Sequence, residues 1–262
     1  MGVKVLFITP EEPSVVTSFY RKVLPAVAGQ VAAIAVVRPI YKNSSWSKQA
    51  KRFIRSFGWR IFGLEALSFV WDKLVDRAHR LTGLGESRSV TGIAKTHGVR
   101  VLHPDDVNSP DFLNTVREIA PDLIISVSCP LIFKDELLEI PSLACVNVHS
   151  SLLPLYRGML PTFWVLLNEE SETGVTVMYM NPGIDDGDII LQERIPITDD
   201  ESLRSLMAKC KSVAADLILE TIRRFESDNV DSAPNPAESG SYFSFPTKAD
   251  VKRFRALGRA VR

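Results

Sequence analysis

Residues 144–149 read ACVNVH, and residues 150–158 continue SSLLPLYRG. The first six are apolar and β-prone, which predicts a strand, and successive side chains of a strand point to opposite faces. Asn147 and His149 therefore share one face at the strand's end, just ahead of a turn. Polar side chains there are costly unless each finds a partner. Taken singly, a satisfied core asparagine and a packed histidine account for them. Together with the polar turn and the acidic loop GIDDGD (183–188), they point to chemistry.

Working outward, the pattern is one of alternating strands and helices. Residues 122–127 (DLIISV) predict a buried strand, preceded by a capped helix over 109–120 and a short strand over 99–102. A helix over 87–96 is closed by Gly98. Near the N-terminus, strands over 3–9 and 31–38 flank a helix over 14–27, and beyond the central stretch residues 173–180 and 189–197 predict a strand pair. A long helix follows over 200–227. Strands and helices alternating at this pitch argue for an α/β fold with a doubly wound, mostly parallel sheet. Ligands in such folds bind outside the carboxyl ends of the strands, which is where His149 falls.

Composition narrows the function classes. The chain has 262 residues, 45% of them hydrophobic, and 31 basic residues balance 31 acidic ones. No global basic field draws it to nucleic acid. Cys129, Cys145 and Cys210 are widely spaced, which fits reduced thiols better than a disulfide framework. The N-terminus MGVKVLFITP is a β-run and not a charged-then-apolar leader, and position 6 is Leu6 where a myristoylation signal needs Ser or Thr. No apolar run reaches the roughly 18 residues of a spanning helix. A soluble, cytoplasmic protein is expected. After the first strand comes PEEP (10–13), with no glycine-rich turn to admit a pyrophosphate, and no Walker sequence occurs anywhere. The dinucleotide-dependent dehydrogenase reading fails.

Four motifs carry a resemblance: NVH (147–149), SLLPLYRG (151–158), TGVT (173–176) and GIDDGDII (183–190). In this order and approximate spacing they resemble the N10-formyltetrahydrofolate-dependent formyltransferases. That family includes the methionyl-tRNA enzymes, the formyltransferase domains acting on nucleotide-linked amino sugars and, more distantly, the glycinamide ribonucleotide enzymes. The likeness is strong over 120–200, moderate over 1–40 and 87–120, and weak elsewhere. It implies a Rossmann-like formyltransferase fold with N10-formyltetrahydrofolate as co-substrate and no metal. Ser150 and Asp186 depart mildly from the family's common residues.

Formyl transfer to an amine needs a polarised carbonyl, a stabilised oxyanion and a proton moved from the attacking to the departing nitrogen. The resemblance assigns these tasks to Asn147, His149 and Asp185. On physical grounds Asp185, Asp186 and Asp188 could each face the imidazole; the family's L-D-x-G pattern selects Asp185. The resemblance also places the folate between 128–133 and 180–185, on Ser128, Cys129, Pro130, Leu131, Ile132, Met180, Gly183 and Ile184. It implies substrate contacts from Ser151, Leu153, Pro154, Tyr156 and Arg157, with the Leu153–Pro154 bond often cis in relatives. Arg157 has two readings, an anion contact for the substrate or an internal salt bridge.

Two segments stand apart. Residues 44–83 interleave Lys48, Lys51, Arg52, Arg55 and Arg60 with Trp46, Phe53, Phe57, Trp59 and Phe62. They read as a helical insert packing its aromatics on the sheet or on a second subunit, which leaves room for a homodimer; a membrane-facing or nucleic-acid-facing helix is the competing reading. Residues 229–262 read as a C-terminal extension to a catalytic domain over 1–228, mostly loop over 228–240 and then a basic helix over 248–262. This tail is short for the extra domain of the tRNA-acting relatives. The acceptor is therefore expected to be a small amine, a nucleotide-linked amino sugar first, then an amino acid such as hydroxyornithine. Nucleic acid is not the expected partner. The alternatives are methionyl-tRNA formylation and, outside catalysis, a folate-binding regulatory module.

Overall fold

The computed structural model describes residues 2–12, 15–38 and 46–262. Expectations falling on residues 13–14 and 44–45, including the start of the first helix and of the insert, lie outside the described residues. The elements run β1 (Val5–Pro10), α1 (Val15–Val27), β2 (Val31–Val37), α2 (Trp46–Phe57), α3 (Trp59–Thr82), α4 (Val90–Thr96) and β3 (Val101–Leu102). Then come α5 (Pro110–Ile119), β4 (Leu123–Val127), α6 (Asp135–Leu138), β5 (Ala144–His149), β6 (Arg157–Gly158), α7 (Pro161–Leu167), β7 (Glu172–Tyr179) and β8 (Ile189–Pro196). The chain closes with α8 (Leu203–Glu226), β9 (Tyr242–Phe243) and α9 (Lys248–Ala256).

Among the described residues seven strands form one sheet, in the order β3-β2-β1-β4-β5-β7-β8. The first five in that order are parallel. β7 and β8 add on antiparallel. The chain passes from β5 to β7 through β6 and α7, whereas β7 and β8 are joined by the loop of residues 180–188, a hairpin-like return that makes an antiparallel neighbour. Both faces are covered. α1, α4, α7, α8 and α9 bury Phe7, Tyr20, Ile34, Val146, Val177 and Ile218 on one side. α5 and α6 bury Leu6, Ile8, Ile124 and Cys145 on the other. Strands buried on both faces explain the near-continuous apolar runs of the sequence.

Caps set several helix boundaries. Ser89 Oγ accepts the Gly92 amide, so α4 begins after Ser89, and Ser87 is freed to donate to Asp76. Ser109 caps α5, with Pro110 in the first turn, where its missing N–H costs nothing. Ser202 and Ser205 form a reciprocal capping box on α8.

The insert is helical, as expected, but α2 does not pack on the sheet. Phe57, 2% exposed, meets Phe163 of α7 edge-on at 6.0 Å and Phe245 of the tail at 6.1 Å. Arg255 of α9 donates to the Phe57 carbonyl, and Ser56 donates to the Pro246 carbonyl. The sheet's faces were already filled by α1, α7 and α8, so the aromatics found the tail instead. The tail in turn folds back on the body: β9 pairs with β6, and Leu203 and Arg204 donate to the Ala260 and Val261 carbonyls. α9 ends at Ala256 rather than running on to the last residue.

Candidate active site

β5 delivers Asn147 and His149 to the face that also carries Cys145, with Asn147 beside Ser126 of β4 and Met178 of β7 in register. β7 then runs out, and the loop of residues 181–188 folds back over that face. Asp185 stands in it with φ +52°, a left-handed conformation uncommon for a non-glycine residue. Its carboxylate is the hub of the site. Oδ1 accepts from Asn147 Nδ2 at 3.4 Å, Oδ2 accepts the Gly158 amide at 2.9 Å, and Oδ2 lies 3.6 Å from His149 Nδ1. A carboxylate only accepts, so the contact fixes the asparagine amide with its NH2 toward Asp185. One N–H of that group is used, and among the described residues the second meets no acceptor.

His149 is 7% exposed, and Nε2 donates to the Tyr156 carbonyl at 2.8 Å. A carbonyl cannot donate, so Nε2 carries a proton in either charge state. Proton traffic must run through Nδ1, the nitrogen beside Asp185. Protonation there turns the 3.6 Å approach into an ion pair.

The rival acids are elsewhere. The Asp186 carboxylate crowds the space above Gly183, and Asp188 is exposed beyond β7, its carbonyl accepting the Tyr179 amide. Among the three, Asp185 faces the imidazole.

The turn after β5 is a scaffold. Leu153–Pro154 is cis. Ser151 is fully buried and donates to the Leu155 carbonyl, and Thr176 of β7 donates to the Ser151 carbonyl at 2.7 Å. Gln192 of β8 reaches the Leu153 carbonyl. Gly174 lets Leu152 settle on β7, because a Cβ there would collide with Leu152 and with the Glu193 carbonyl. Gly158, at φ +92°, similarly admits the β9 backbone at Phe243. Tyr156 stacks on Phe243 and donates its hydroxyl to Glu170 at 2.6 Å; burial, then Glu170, pushes that hydroxyl's pKa up to about 12.

Arg157 corrects the salt-bridge expectation. It is 6% exposed, and among the described residues its guanidinium meets no carboxylate. It donates instead to the Asn235 carbonyl and to Asn235 Oδ1, both at 2.9 Å. Asn235 Nδ2 then donates to the carbonyls of Asp185 and Gly187 at 3.1 and 3.0 Å. A tail residue thus clamps the loop that holds the carboxylate. Sequence reading passed over it; the signal was an asparagine between two prolines in a polar tail.

The residues assigned to the folate divide. Cys129, Leu131 and Met180 pack partly against the second core. Ser128, Ile132, Gly183 and Ile184 are exposed, and Ser128 has φ +54°, turning the backbone at the end of β4; Pro130 is half-buried. Asn108, also unread in the sequence, holds this loop by donating to the Ile132 carbonyl and accepting the Lys134 amide. Two exposed isoleucines on the two loops that border Asn147 suit the faces of a flat heterocycle. Burial pushes the thiols of Cys129, Cys145 and Cys210 up to about 12, which disfavours the thiolate that a nucleophile needs.

The two acids after β1 have a structural use. Glu11 accepts the Val90 amide and the Thr91 hydroxyl at the start of α4, and Glu12 accepts the Val15 and Val16 amides at the start of α1. Helix N-termini are anion sites, and both are filled by the chain's own carboxylates.

Comparison with known proteins identifies the family. A family model described as Formyl transferase matches residues 75–222, more than half of the chain. Methionyl-tRNA formyltransferase of Acetivibrio thermocellus is 39% identical over 153 residues, which are 58% of this chain and 49% of that protein. The Geobacter metallireducens protein of the same name is 43% identical over 134 residues, 51% of this chain and 43% of that one. The chain spans about half the length of the curated relatives it matches. Among solved structures, a sugar N-formyltransferase from a Shewanella species superposes with TM-score 0.57 and 19% identity, covering 92% of this chain and 77% of that one. Glycinamide ribonucleotide transformylase 1 from Symbiobacterium toebii gives TM-score 0.59 and 15% identity over 87% and 89% of the two chains. At these identities the two structures share the fold.

Proposed function

Because this chain belongs to the formyl transferase family, we propose that it transfers a formyl group from N10-formyltetrahydrofolate to the primary amine of a small acceptor, a nucleotide-linked amino sugar. The observation that carries the reading is the convergence of Asn147 and His149 on one carboxylate, Asp185.

Each residue has a task its geometry suits. Asn147 aims its remaining N–H at the formyl oxygen and stabilises the charge that grows there; losing such a donor costs on the order of 10²–10³ in rate. His149 takes or gives the proton at Nδ1, with Nε2 locked on the Tyr156 carbonyl. Asp185 orients both and balances the imidazolium. When bound, the folate supplies the activated formyl group. Ser128, Ile132, Gly183 and Ile184 would hold its ring, with Asn108 and Asn235 keeping their loops in place.

Two findings support a small acceptor. Phe53 and Phe57 of α2, which could stack on bases, are engaged internally: Phe53 stacks on Phe57, and Phe57 packs on Phe163 and Phe245. Arg52 lies over the Phe245 ring at 4.4 Å. One observation favours methionyl-tRNA instead, the 39% identity to enzymes of that name.

The assay offers purified protein the folate and a panel of nucleotide amino sugars, amino acids and methionyl-tRNA, at two salt concentrations, and follows tetrahydrofolate release. Turnover on an amino sugar with little salt dependence is expected. Efficient tRNA formylation that weakens steeply with salt replaces the acceptor. No turnover with any amine, alongside folate binding, leaves the binding-module reading.

A further inference from the structure

α3 carries an apolar stripe that nothing among the described residues covers. Leu64, Leu67, Trp71, Leu74, Ala78 and Leu81 recur at alternating spacings of three and four, the seam of a left-handed helix pair. All six are exposed: Leu67 by 68%, Trp71 by 61% and Leu81 by 78%. The opposite face of the same helix is committed to its own chain. Asp72 pairs with Arg88, Asp76 accepts from Ser87 and Ser89, and Glu65 pairs with Arg262. Those contacts fix the rotation of the helix and turn the seam outward.

We propose that the seam pairs with a second copy of itself, antiparallel, about a two-fold axis passing between residues 72 and 73. The spacing is symmetric about that point. Leu64 falls opposite the partner's Leu81, Leu67 opposite the partner's Ala78 and Trp71 opposite the partner's Leu74. The small Ala78 leaves room next to the large Trp71, so bulk and space alternate along the seam. Charge agrees. The acids Asp72 and Asp76 face inward, and the flanking Arg77 falls beside the partner's Val70, where its stem can cover the exposed valine. No like-charged pair meets across the axis.

The area is of the right order. With Val70 included, the stripe exposes roughly 700 Å² per copy, an upper bound on what pairing can bury, against about 800 Å² per partner in a standard interface. A surface of one kind that matches itself is what an isologous two-fold contact requires.

Light scattering on the full chain after size exclusion should give twice the 29.1 kDa chain mass. Leu67→Glu/Leu74→Glu should run as a monomer with unchanged circular dichroism. The direction of pairing is read separately. The double variant Leu67→Cys/Ala78→Cys should form an intermolecular disulfide on mild oxidation, and Leu67→Cys alone should not. The native thiols are buried or half-buried and leave the readout clean. A monomeric wild type overturns the proposal, as does a dimer that survives Leu67→Glu/Leu74→Glu. Crosslinking by Leu67→Cys alone would mean a parallel pair, which overturns the stated register. Sedimentation of monomeric wild type with anionic vesicles would assign the stripe to a lipid surface.

Discussion

The stretch from β5 to the acidic loop and the insert α2–α3 handle the same difficulty in opposite ways. In the first, polar side chains are buried: His149 and Arg157 are 7% and 6% exposed, and each has a partner placed for it. In the second, the stripe along α3 leaves apolar side chains out in the solvent. Burying a polar group without a partner costs about 1–3 kcal/mol, so a chain that does so builds the partner as well. Exposing an apolar stripe forgoes about 25 cal/mol per Å² that burial would return. The buried polar cluster on β5 is where the proposed reaction would meet its reactants, and the bare seam of α3 is where the proposed second copy would dock.

The sharpest break of that comparison is in the site. His149→Ala and Asn147→Ala should each lower turnover by at least about 10² with folate binding nearly intact, because both act on charge that develops during reaction. Parallel loss of affinity and rate, measured by folate titration beside steady-state kinetics, would recast them as binding residues. Asp185→Asn should fall in the same range, while Asp186→Asn should stay within about threefold of wild type on the same principle. Equal losses would spread the carboxylate's role over the loop.

A second experiment compares the inner and outer faces of the insert. Phe57→Ala should cost about 3–5 kcal/mol in denaturant unfolding, because its ring closes the contact between α2, α7 and the tail. Val70→Ser, on the bare side of α3, should change the unfolding free energy of the single chain by less than about 0.5 kcal/mol.

The clamp comes next. Asn235→Ala should lower turnover by about tenfold and Tm with it, since a small misplacement of Asp185 is enough to slow the reaction. Combined with Arg157→Met, the double variant should lose less than the two single losses together, because both act through one chain of hydrogen bonds. Full additivity would separate Arg157 from the loop and return it to the substrate.

The smallest effect is alkaline. The Tyr156 hydroxyl's pKa is raised to about 12 in the folded protein against an ordinary 10.0, so folding favours its protonated form. That contribution is fully present below pH 10 and is lost as pH rises through about 12. Tyr156→Phe should flatten this part of the stability profile, read by chemical denaturation at stepped pH.

How much of this was open to sequence reading varies from residue to residue. The β5 pattern by itself put Asn147 and His149 on one face, because strand alternation is local. The alternation of strands and helices likewise implied the layered sheet. The four motifs and their spacing gave the family, and with it the choice of Asp185 over its neighbours. Other assignments depended on residues far apart in the chain. The PEEP turn showed only the lack of a glycine-rich phosphate loop, yet its Glu11 and Glu12 cap α4 and α1, and α4 starts nearly 80 residues after Glu11. Arg157 lay in a recognised motif while its partner, Asn235, lies 78 residues on. The insert's amphipathic pattern predicted helices but could not say which apolar side would be covered, since that depends on where Arg88 and Arg262 meet its acids. Periodicity and short motifs are local properties and were legible. Which buried group pairs with which, and which apolar face stays bare, is decided only when distant segments are brought together.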